Sequence, residues 1–284
     1  MPTARLHDRA SIDVTVTGHG PAVLVPVSTA VVDDETAERM RAWGADPNLG
    51  HTLVTALADA GFRVVAADVE GHLAASPKPA TLDADALAAD LLAIADAAGV
   101  DRFAYYGYSW LALAGLQLAL RSDRVTALAM GGYPPLDGPY EAMLAVTRAA
   151  HQMALAAKDE PLANLADVQP GDWDAVEVTQ SPEQTQQYVT LYESLQDFHD
   201  RAVVDQIKVP RLVFAGADDD IEYGPRWGGT RVEIAAAVER NRGELTDRGW
   251  TVVIVPAADH MAAMHAGVVL PILIPWLRDA VRDG

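Results

Sequence analysis

The sequence predicts an α/β fold in which a mostly parallel central sheet is flanked by helices. Short apolar runs of strand length alternate with segments of helix length along most of the 284 residues. Strands that alternate with helices form parallel sheets with helices packed on both faces. Hydrophobic residues make up 50% of the chain, which is enough for a sizeable core.

One long stretch, residues 136–207, interrupts this alternation. It contains no strand-like apolar run and is polar, helical and broken by prolines. We therefore predict a core formed by residues 1–135 and 208–284, with residues 136–207 as a helical insertion between two strands. Its aromatic residues are predicted to pack inside the insertion: Trp173, Tyr188, Tyr192 and Phe198.

The first strand of the core is predicted over residues 11–18, where apolar and polar residues alternate. Gly18 and Gly20 begin a dinucleotide-binding glycine pattern, but Val23 occupies the position of the third glycine. A hairpin turn is therefore the better interpretation. The next predicted elements are strand 22–26, a connection over 28–50 with a helix at 35–43, helix 51–60, strand 62–67 and helix 81–98.

The strand that begins at residue 102 is predicted to turn abruptly at Ser109 into a helix over 111–120. Later elements follow from apolar runs and helix stop signals. They are strand 125–130, strand 209–215, helix 230–247 with a capping box of Thr230 and Glu233, strand 250–255 and helix 266–281.

Composition excludes several classes of function. The formal net charge of −19 argues against nucleic acid and anionic membrane surfaces as partners. The absence of cysteine excludes disulfides and cysteine-based metal sites. The N-terminus lacks the apolar core of a signal peptide, and no apolar run is long enough to span a bilayer. We expect a cytoplasmic protein that acts on a small-molecule substrate without a cofactor; the sequence leaves a homodimer open.

Three groups of reactive side chains follow predicted strands directly. They are Ser109, the run Asp218-Asp219-Asp220, and Asp259-His260. Functional residues of open α/β sheets lie at the carboxyl ends of the strands. A serine hydroxyl becomes a nucleophile when an imidazole accepts its proton and a carboxylate orients that imidazole. The three groups therefore favour a Ser-His-Asp site.

These residues resemble the motifs of the α/β-hydrolase superfamily, over essentially the whole chain. Gly107-Tyr108-Ser109-Trp110 resembles the nucleophile elbow, and Gly216-Ala217-Asp218-Asp219 resembles the acid loop. Asp259-His260 lies where the family's histidine loop is expected. Asp68-Val-Glu-Gly-His72, with Ser76, is similar to a further loop of the family. The resemblance implies an α/β-hydrolase fold with a helical cap over residues 136–207.

The resemblance also implies roles for individual residues. Ser109 would be the nucleophile, His260 the base and Asp219 the acid that orients it. The backbone N–H groups of Trp110 and Ser28 would form the oxyanion hole, with Val27 as the second choice for the latter position.

The chain departs from the family's motifs at three places. Leu111 replaces the last glycine of the elbow and is expected to crowd the start of the helix against a neighbouring strand. In the loop at residues 68–76, Leu73 replaces the second glycine of the family's Gly-His-Gly sequence. Pro26-Val27 replaces the family's His-Gly, and we expect this change to reshape the oxyanion hole.

Other interpretations compete for the same residues. His265 is the rival base, and Asp218 and Asp220 are rival acids. The aspartate run lacks the spaced ligands of a calcium loop. His260 and His265 are five residues apart rather than the four of a helical zinc site.

The function predicted from these residues is hydrolysis of a small carboxylic ester, or a related acyl substrate, through an acyl-enzyme on Ser109. The Ser109-Trp110 pair also resembles proline iminopeptidases, so an aminopeptidase is the alternative. A non-hydrolytic protein of the same fold that binds a small ligand is the remaining alternative, and the altered oxyanion segment is its support.

Overall fold

A computed structural model describes residues 1–157 and 178–281, which form a central sheet covered by helices. The strands in chain order are β1 (Thr3–Arg5), β2 (Ser11–Asp13), β3 (Thr15–Thr17), β4 (Ala22–Val25), β5 (Arg63–Ala66), β6 (Phe103–Tyr108), β7 (Val125–Gly131), β8 (Arg211–Gly216), β9 (Asp220–Glu222), β10 (Arg231–Glu233) and β11 (Trp250–Val255). The seven-stranded sheet has the order β11-β8-β7-β6-β4-β5-β3. Only β3 runs antiparallel to its neighbour in that sheet, so the predicted fold class is confirmed.

Helices connect the strands and cover the sheet. In the described residues they are α1 (Asp34–Ala42), α2 (Leu49–Asp59), α3 (Val69–Ala75), α4 (Ala84–Ala97), α5 (Trp110–Arg121), α6 (Tyr140–Ala156), α7 (Pro182–Glu193), α8 (Asp200–Val203), α9 (Ala235–Arg240), α10 (Arg242–Asp247), α11 (His260–Met264) and α12 (Ala266–Ala280). Within these ranges no helix is both long and apolar enough to cross a membrane.

The core lies on both faces of the sheet. Strand β6 is near the middle of the sheet, and all six of its residues are buried. Tyr105 packs in the core on one face, and Tyr106 packs in the core on the other. A strand covered on both faces carries apolar side chains at every position. This explains the continuous apolar run before Ser109.

The predicted helix over 230–247 is wrong in its first part. Residues Arg231–Glu233 form β10, which pairs antiparallel with β9 in a separate hairpin. The helix begins later because Asp220 accepts hydrogen bonds from the N–H groups of Ile234 (2.9 Å) and Ala236 (3.1 Å). A carboxylate four residues beyond β8 thus supplies the cap that the sequence assigned to Thr230 and Glu233.

Three smaller differences affect the first half of the chain. The predicted strand over 11–18 is divided into β2 and β3, which belong to different sheets. Strand β1 was not predicted, and it pairs with β2. Residues Val69–Ala75 form α3, where the sequence indicated a loop, and Asp68 caps this helix through the N–H of Gly71 at 2.9 Å.

The stretch predicted as a cap contributes α6, α7 and α8, and the part of it that the structure describes contains no strand. Trp173 lies outside the described residues. The division into a core and a cap therefore stays a prediction.

Helix α7 is fastened by side-chain hydrogen bonds to the end of α3 and to the loop between α3 and α4. Gln184 donates to the carbonyl of Ala74 at 2.6 Å, and Thr190 donates to that of Pro79 at 2.6 Å. Gln187 accepts from the N–H of Lys78 at 3.1 Å. Helix α7 is therefore held against the end of α3 and the loop that follows it.

The two ends of the predicted insertion, residues 136–207, meet at an ion-pair network. Arg201 donates two hydrogen bonds of 2.7 Å to Asp137 and one of 2.7 Å to Glu244. Asn241 adds a bond of 2.9 Å to Asp137. The hydrogen bonds from Arg201, supported by Asn241, lower the pKa of Asp137 from 3.8 to about 2.

The network predicts a pH-dependent contribution of Asp137 to stability. A carboxyl whose pKa is lower in the folded state stabilises the fold above its unfolded pKa and loses this effect as the pH falls through the folded pKa. Replacing Asp137 by Asn, which also tolerates the positive φ of 54° found there, should lower the free energy of unfolding at pH 6. The deficit should shrink between pH 4 and pH 2. Urea unfolding at several pH values measures it, with Asp123→Asn at an exposed aspartate as the control; a deficit independent of pH would contradict this account.

Candidate active site

The turn between β6 and α5 places Ser109 on a strained corner of the backbone. Ser109 has φ 56° and ψ −133°, a conformation that non-glycine residues adopt rarely. Its N–H donates to the carbonyl of Gly131 at 2.8 Å, which holds the corner against the end of β7. The hydroxyl is therefore presented at the carboxyl edge of the sheet.

Close packing of the strand and helix at this corner requires glycine at position 107. A Cβ atom on Gly107 would lie 2.3 Å from the carbonyl oxygen of Leu111. Leu111, which stands at the family's last elbow glycine, is 5% exposed and packs in the core. Its carbonyl accepts a hydrogen bond of 2.7 Å from the buried hydroxyl of Tyr105. Position 111 accommodates leucine because its side chain packs into the core, while its backbone carbonyl lies against Gly107.

The structure brings Ser109, His260 and Asp219 into one hydrogen-bonded chain. The Nε2 atom of His260 lies 3.1 Å from Oγ of Ser109, and its Nδ1 atom lies 2.8 Å from Oδ1 of Asp219. His260 is the first residue of α11, which Asp259 caps through the N–H of Ala262 at 2.8 Å. Distances of this size allow a proton to pass from serine to imidazole.

Tyr108 holds His260 from below. Its hydroxyl donates to the backbone carbonyl of His260 at 2.8 Å, and the two rings lie 5.1 Å apart. Gly132, with φ 60°, lies beside both, and a Cβ atom there would be 2.7 Å from the ring of Tyr108. The sequence analysis did not identify this support, and its only sequence signal is the aromatic residue before the serine.

The three neighbouring aspartates, Asp218, Asp219 and Asp220, differ in their burial and in their hydrogen-bond partners. Asp219 is fully buried against His260, and this burial raises the pKa of its carboxyl, which the hydrogen bond from His260 partly offsets. Asp220 instead bonds Arg231 and the start of α9, and Asp218 is exposed. The alternative histidine, His265, donates from Nε2 to the carbonyl of Gly44 at 2.7 Å and does not bond Ser109.

The predicted oxyanion-hole residues lie at the ends of two adjacent strands. Trp110 is the first residue of α5, where backbone N–H groups have no partner within the helix. Ser28 is exposed and follows β4. The N–H of Val27 already donates to the carbonyl of Val25 at 2.9 Å, which removes the second choice. The assignment of Ser28 stays a prediction.

The side chain of Trp110 joins two elements above the serine. Its indole N–H donates to Glu70 on α3 at 2.8 Å, and its ring packs edge-on against Tyr188 of α7 at 5.5 Å. The Glu70 side chain retains contact with solvent, yet the protein packed around it raises the pKa of its carboxyl. A carboxylate therefore lies beside two aromatic rings, one of which belongs to the residue that follows Ser109.

A cavity of about 250 Å³ opens on Ser109 and His260. Its remaining lining is apolar and aromatic: Gly132, Tyr133, Pro139, Met143, Tyr192, Ile221, Tyr223, Val232 and Ile234. A wider groove of about 600 Å³ between β11 and α12 includes neither Ser109 nor His260. Among the residues described, no group of three or more His, Asp or Glu side chains is placed to hold a metal ion.

The hairpin of β9 and β10 is the part of this cavity that the sequence analysis missed. Its signal is present in the sequence, since Ile221 and Tyr223 alternate with polar residues before Gly228-Gly229, and Val232 and Ile234 alternate after it. Such alternation around a glycine pair is typical of a hairpin. The capping pattern at Thr230 concealed it.

Comparison with known proteins agrees with this architecture. A family model described as alpha/beta hydrolase fold matches residues 42–148. The chain has the α/β-hydrolase fold. The fold that the resemblance to the α/β-hydrolase superfamily implied is therefore confirmed.

Solved structures of this fold superpose on nearly the whole chain. A carboxylesterase structure from Nitrososphaera gargenis has a TM-score of 0.67 at 15% identity, with 100% of both chains covered. The enol-lactonase from Burkholderia xenovorans LB400 has a TM-score of 0.63 at 22% identity and covers 98% of this chain and 100% of its own. The epoxide hydrolase VrEH1 from Vigna radiata has a TM-score of 0.59 at 14% identity, with 99% and 97% covered. No curated protein matches the chain at a significant level.

The close packing at the elbow predicts opposite effects of two Gly→Ala substitutions. Gly107→Ala forces a methyl group against backbone and should lower the free energy of unfolding by about 1–3 kcal/mol. Gly243→Ala is the matched control, because that position lies in α10 with open space around it. It should be neutral or stabilise by up to about 1 kcal/mol. Urea unfolding followed by circular dichroism measures both, and equal effects would contradict the packing account.

Proposed function

We propose that this protein is a serine hydrolase that cleaves small carboxylic esters through an acyl-enzyme on Ser109. The observation that carries the proposal is the chain of hydrogen bonds from Oγ of Ser109 through His260 to Asp219, at 3.1 and 2.8 Å. This arrangement lies on the wall of a cavity, where a substrate carbonyl can reach the hydroxyl.

The proposed reaction has two halves. Ser109 Oγ attacks the carbonyl carbon while His260 Nε2 accepts the hydroxyl proton, and Asp219 stabilises the imidazolium. The N–H groups of Trp110 and Ser28 would bind the oxyanion. As the tetrahedral intermediate collapses, the bond to the alcohol breaks and His260 returns the proton to the departing oxygen. Water then attacks the acyl-enzyme with the same assistance, which releases the acid and restores Ser109.

The nature of the nucleophile and the cavity support an ester as substrate. The elbow carries serine rather than the aspartate of dehalogenases and epoxide hydrolases, so an acyl-enzyme is the expected intermediate. The cavity lining is largely apolar, which suits a neutral acyl or alcohol group. A carboxylesterase and an enol-lactonase are among the proteins of similar fold, which agrees with this substrate class.

An aminopeptidase is the second candidate, and Glu70 is the observation that favours it. This carboxylate hydrogen-bonds the indole of Trp110 and lies beside Tyr188. A carboxylate next to aromatic rings is suited to an ammonium group. An aminoacyl substrate would then place its amine near Glu70 and its carbonyl at Ser109.

Covalent labelling tests the nucleophile and the base directly. A fluorophosphonate probe should label the wild-type protein and not Ser109→Ala. Turnover of a p-nitrophenyl ester should fall by at least about a thousandfold in Ser109→Ala and His260→Ala, with folding retained. His265→Ala is the matched control and should keep wild-type turnover, since His265 bonds Gly44 instead. Labelling that survives in Ser109→Ala would refute the mechanism, and loss of turnover confined to His265→Ala would move the base there.

A substrate panel separates the two candidates. We expect p-nitrophenyl esters to be hydrolysed faster than aminoacyl p-nitroanilides, because the cavity at Ser109 is apolar. Glu70→Gln should leave the turnover of neutral esters unchanged. If aminoacyl anilides are the better substrates and Glu70→Gln raises KM for them alone, the aminopeptidase is the correct assignment.

A further inference from the structure

We infer that one face of the hairpin formed by β9 and β10 selects the substrate by limiting the size of its apolar group. The inference rests on the proposed hydrolysis at Ser109 and deepens it. The hairpin belongs to the segment that directly follows Asp219, and it is separate from the insertion over residues 136–207.

The hairpin has two chemically different faces. Successive side chains of a strand point to opposite faces. Four side chains of the hairpin line the cavity of Ser109: Ile221 on β9, Tyr223 directly after it, Val232 on β10 and Ile234 directly after it. Ile221 and Val232 are direct cross-strand partners, so their side chains form one continuous patch of the cavity wall.

The opposite face is charged and turned away from the cavity. Arg231 bonds Asp220 at 3.0 Å and contacts its cross-strand partner Glu222 at 3.2 Å. Glu233 pairs with Arg240 of α9 at 3.2 Å. A strand pair with one apolar face and one charged face keeps its register, because a slip by one residue would move charges into the cavity.

Asp220 fastens this wall to the catalytic acid. One of its carboxylate oxygens accepts the N–H groups of Ile234 and Ala236, and the other accepts from Arg231. The backbone carbonyl of Asp219 itself accepts from the N–H of Ala235 at 2.9 Å. The wall is therefore rigidly placed with respect to the acid that orients His260.

The cavity has room for a small group only. Pro139 and Met143 at the start of α6 line it together with the hairpin, and its volume is about 250 Å³. This volume lies below the roughly 300–1,000 Å³ of pockets that enclose drug-sized ligands. The accepted apolar group should therefore be short.

Two ester series test the inference, one with a fixed alcohol and acyl chains of increasing length, the other with a fixed acyl group and increasing alcohols. In one of the series, kcat/KM should fall sharply once the varied chain is longer than the cavity can hold. Ile221→Ala should move this limit to longer chains, with a gain of about tenfold for the first excluded chain, and Ile221→Trp should move it to shorter ones. Val232→Ala, at the facing position, should act as Ile221→Ala does.

Glu222→Gln is the control, since Glu222 is exposed on the charged face next to Ile221. An unchanged limit in both Ile221 variants, or an equal shift in Glu222→Gln, would overturn the inference.

A binding experiment that needs no catalysis distinguishes failure of this inference from failure of the proposed function. In the Ser109→Ala background, thermal shifts with neutral amides from butanamide to dodecanamide should show the same limit and the same dependence on residue 221. If no ester is hydrolysed but this dependence is found, the hairpin limits the size of the bound group although the proposed hydrolysis is wrong. If binding is independent of residue 221, the inference is refuted.

Discussion

Backbone hydrogen bonds that continue the parallel sheet beyond the ends of its strands hold the candidate site together. The N–H of Ser109 donates to Gly131 at the end of β7, and the N–H of Gly132 donates to a carbonyl of β8, both at 2.8 Å. After β8, the N–H of Asp218 donates to the carbonyl of Ala258 at 3.0 Å. These bonds join the ends of β6, β7, β8 and β11 in their order in the sheet. Residues far apart in sequence therefore reach hydrogen-bonding distance without long flexible loops.

Close packing buries Asp219, which raises the pKa of its carboxyl, and the hydrogen bond with His260 lowers that pKa. Asp219 is fully buried, and a buried carboxylate is stable only where hydrogen bonds replace water. One of its oxygens bonds His260; the other has no hydrogen-bond partner among the residues described. The bond to His260 therefore offsets part of the cost of burying Asp219 and also orients the imidazole. It keeps Nδ1 occupied so that Nε2 faces Ser109.

The sequence was sufficient for those features that depend on short patterns with a single physical solution. Continuous apolar runs gave the parallel strands, and the order of Ser109, Asp219 and His260 on strand ends placed three residues that the fold brings together. It was insufficient where a distant side chain decides the structure. The carboxylate of Asp220 starts α9 at Ala235, so a local capping pattern at Thr230 predicted a helix where a strand forms. The cavity wall was missed because this capping pattern outweighed the alternating apolar residues on either side of Gly228-Gly229.

The position of the hairpin gives the segment after β8 two tasks. Asp219 hydrogen-bonds His260, the proposed base, and the next residue, Asp220, bonds the backbone at the start of α9 beside the cavity wall. Substitutions on the cavity face of the hairpin change the shape of the cavity, whereas substitutions at Asp220 would also displace the acid. Substitution of Ile221, which lines the cavity, therefore leaves the hydrogen bonds of Asp220 in place, whereas substitution of Asp220 removes them. The proposed selectivity lies in the hairpin next to Asp219. Substitutions there would therefore change the size of the accepted substrate without any change in α6, α7 or α8.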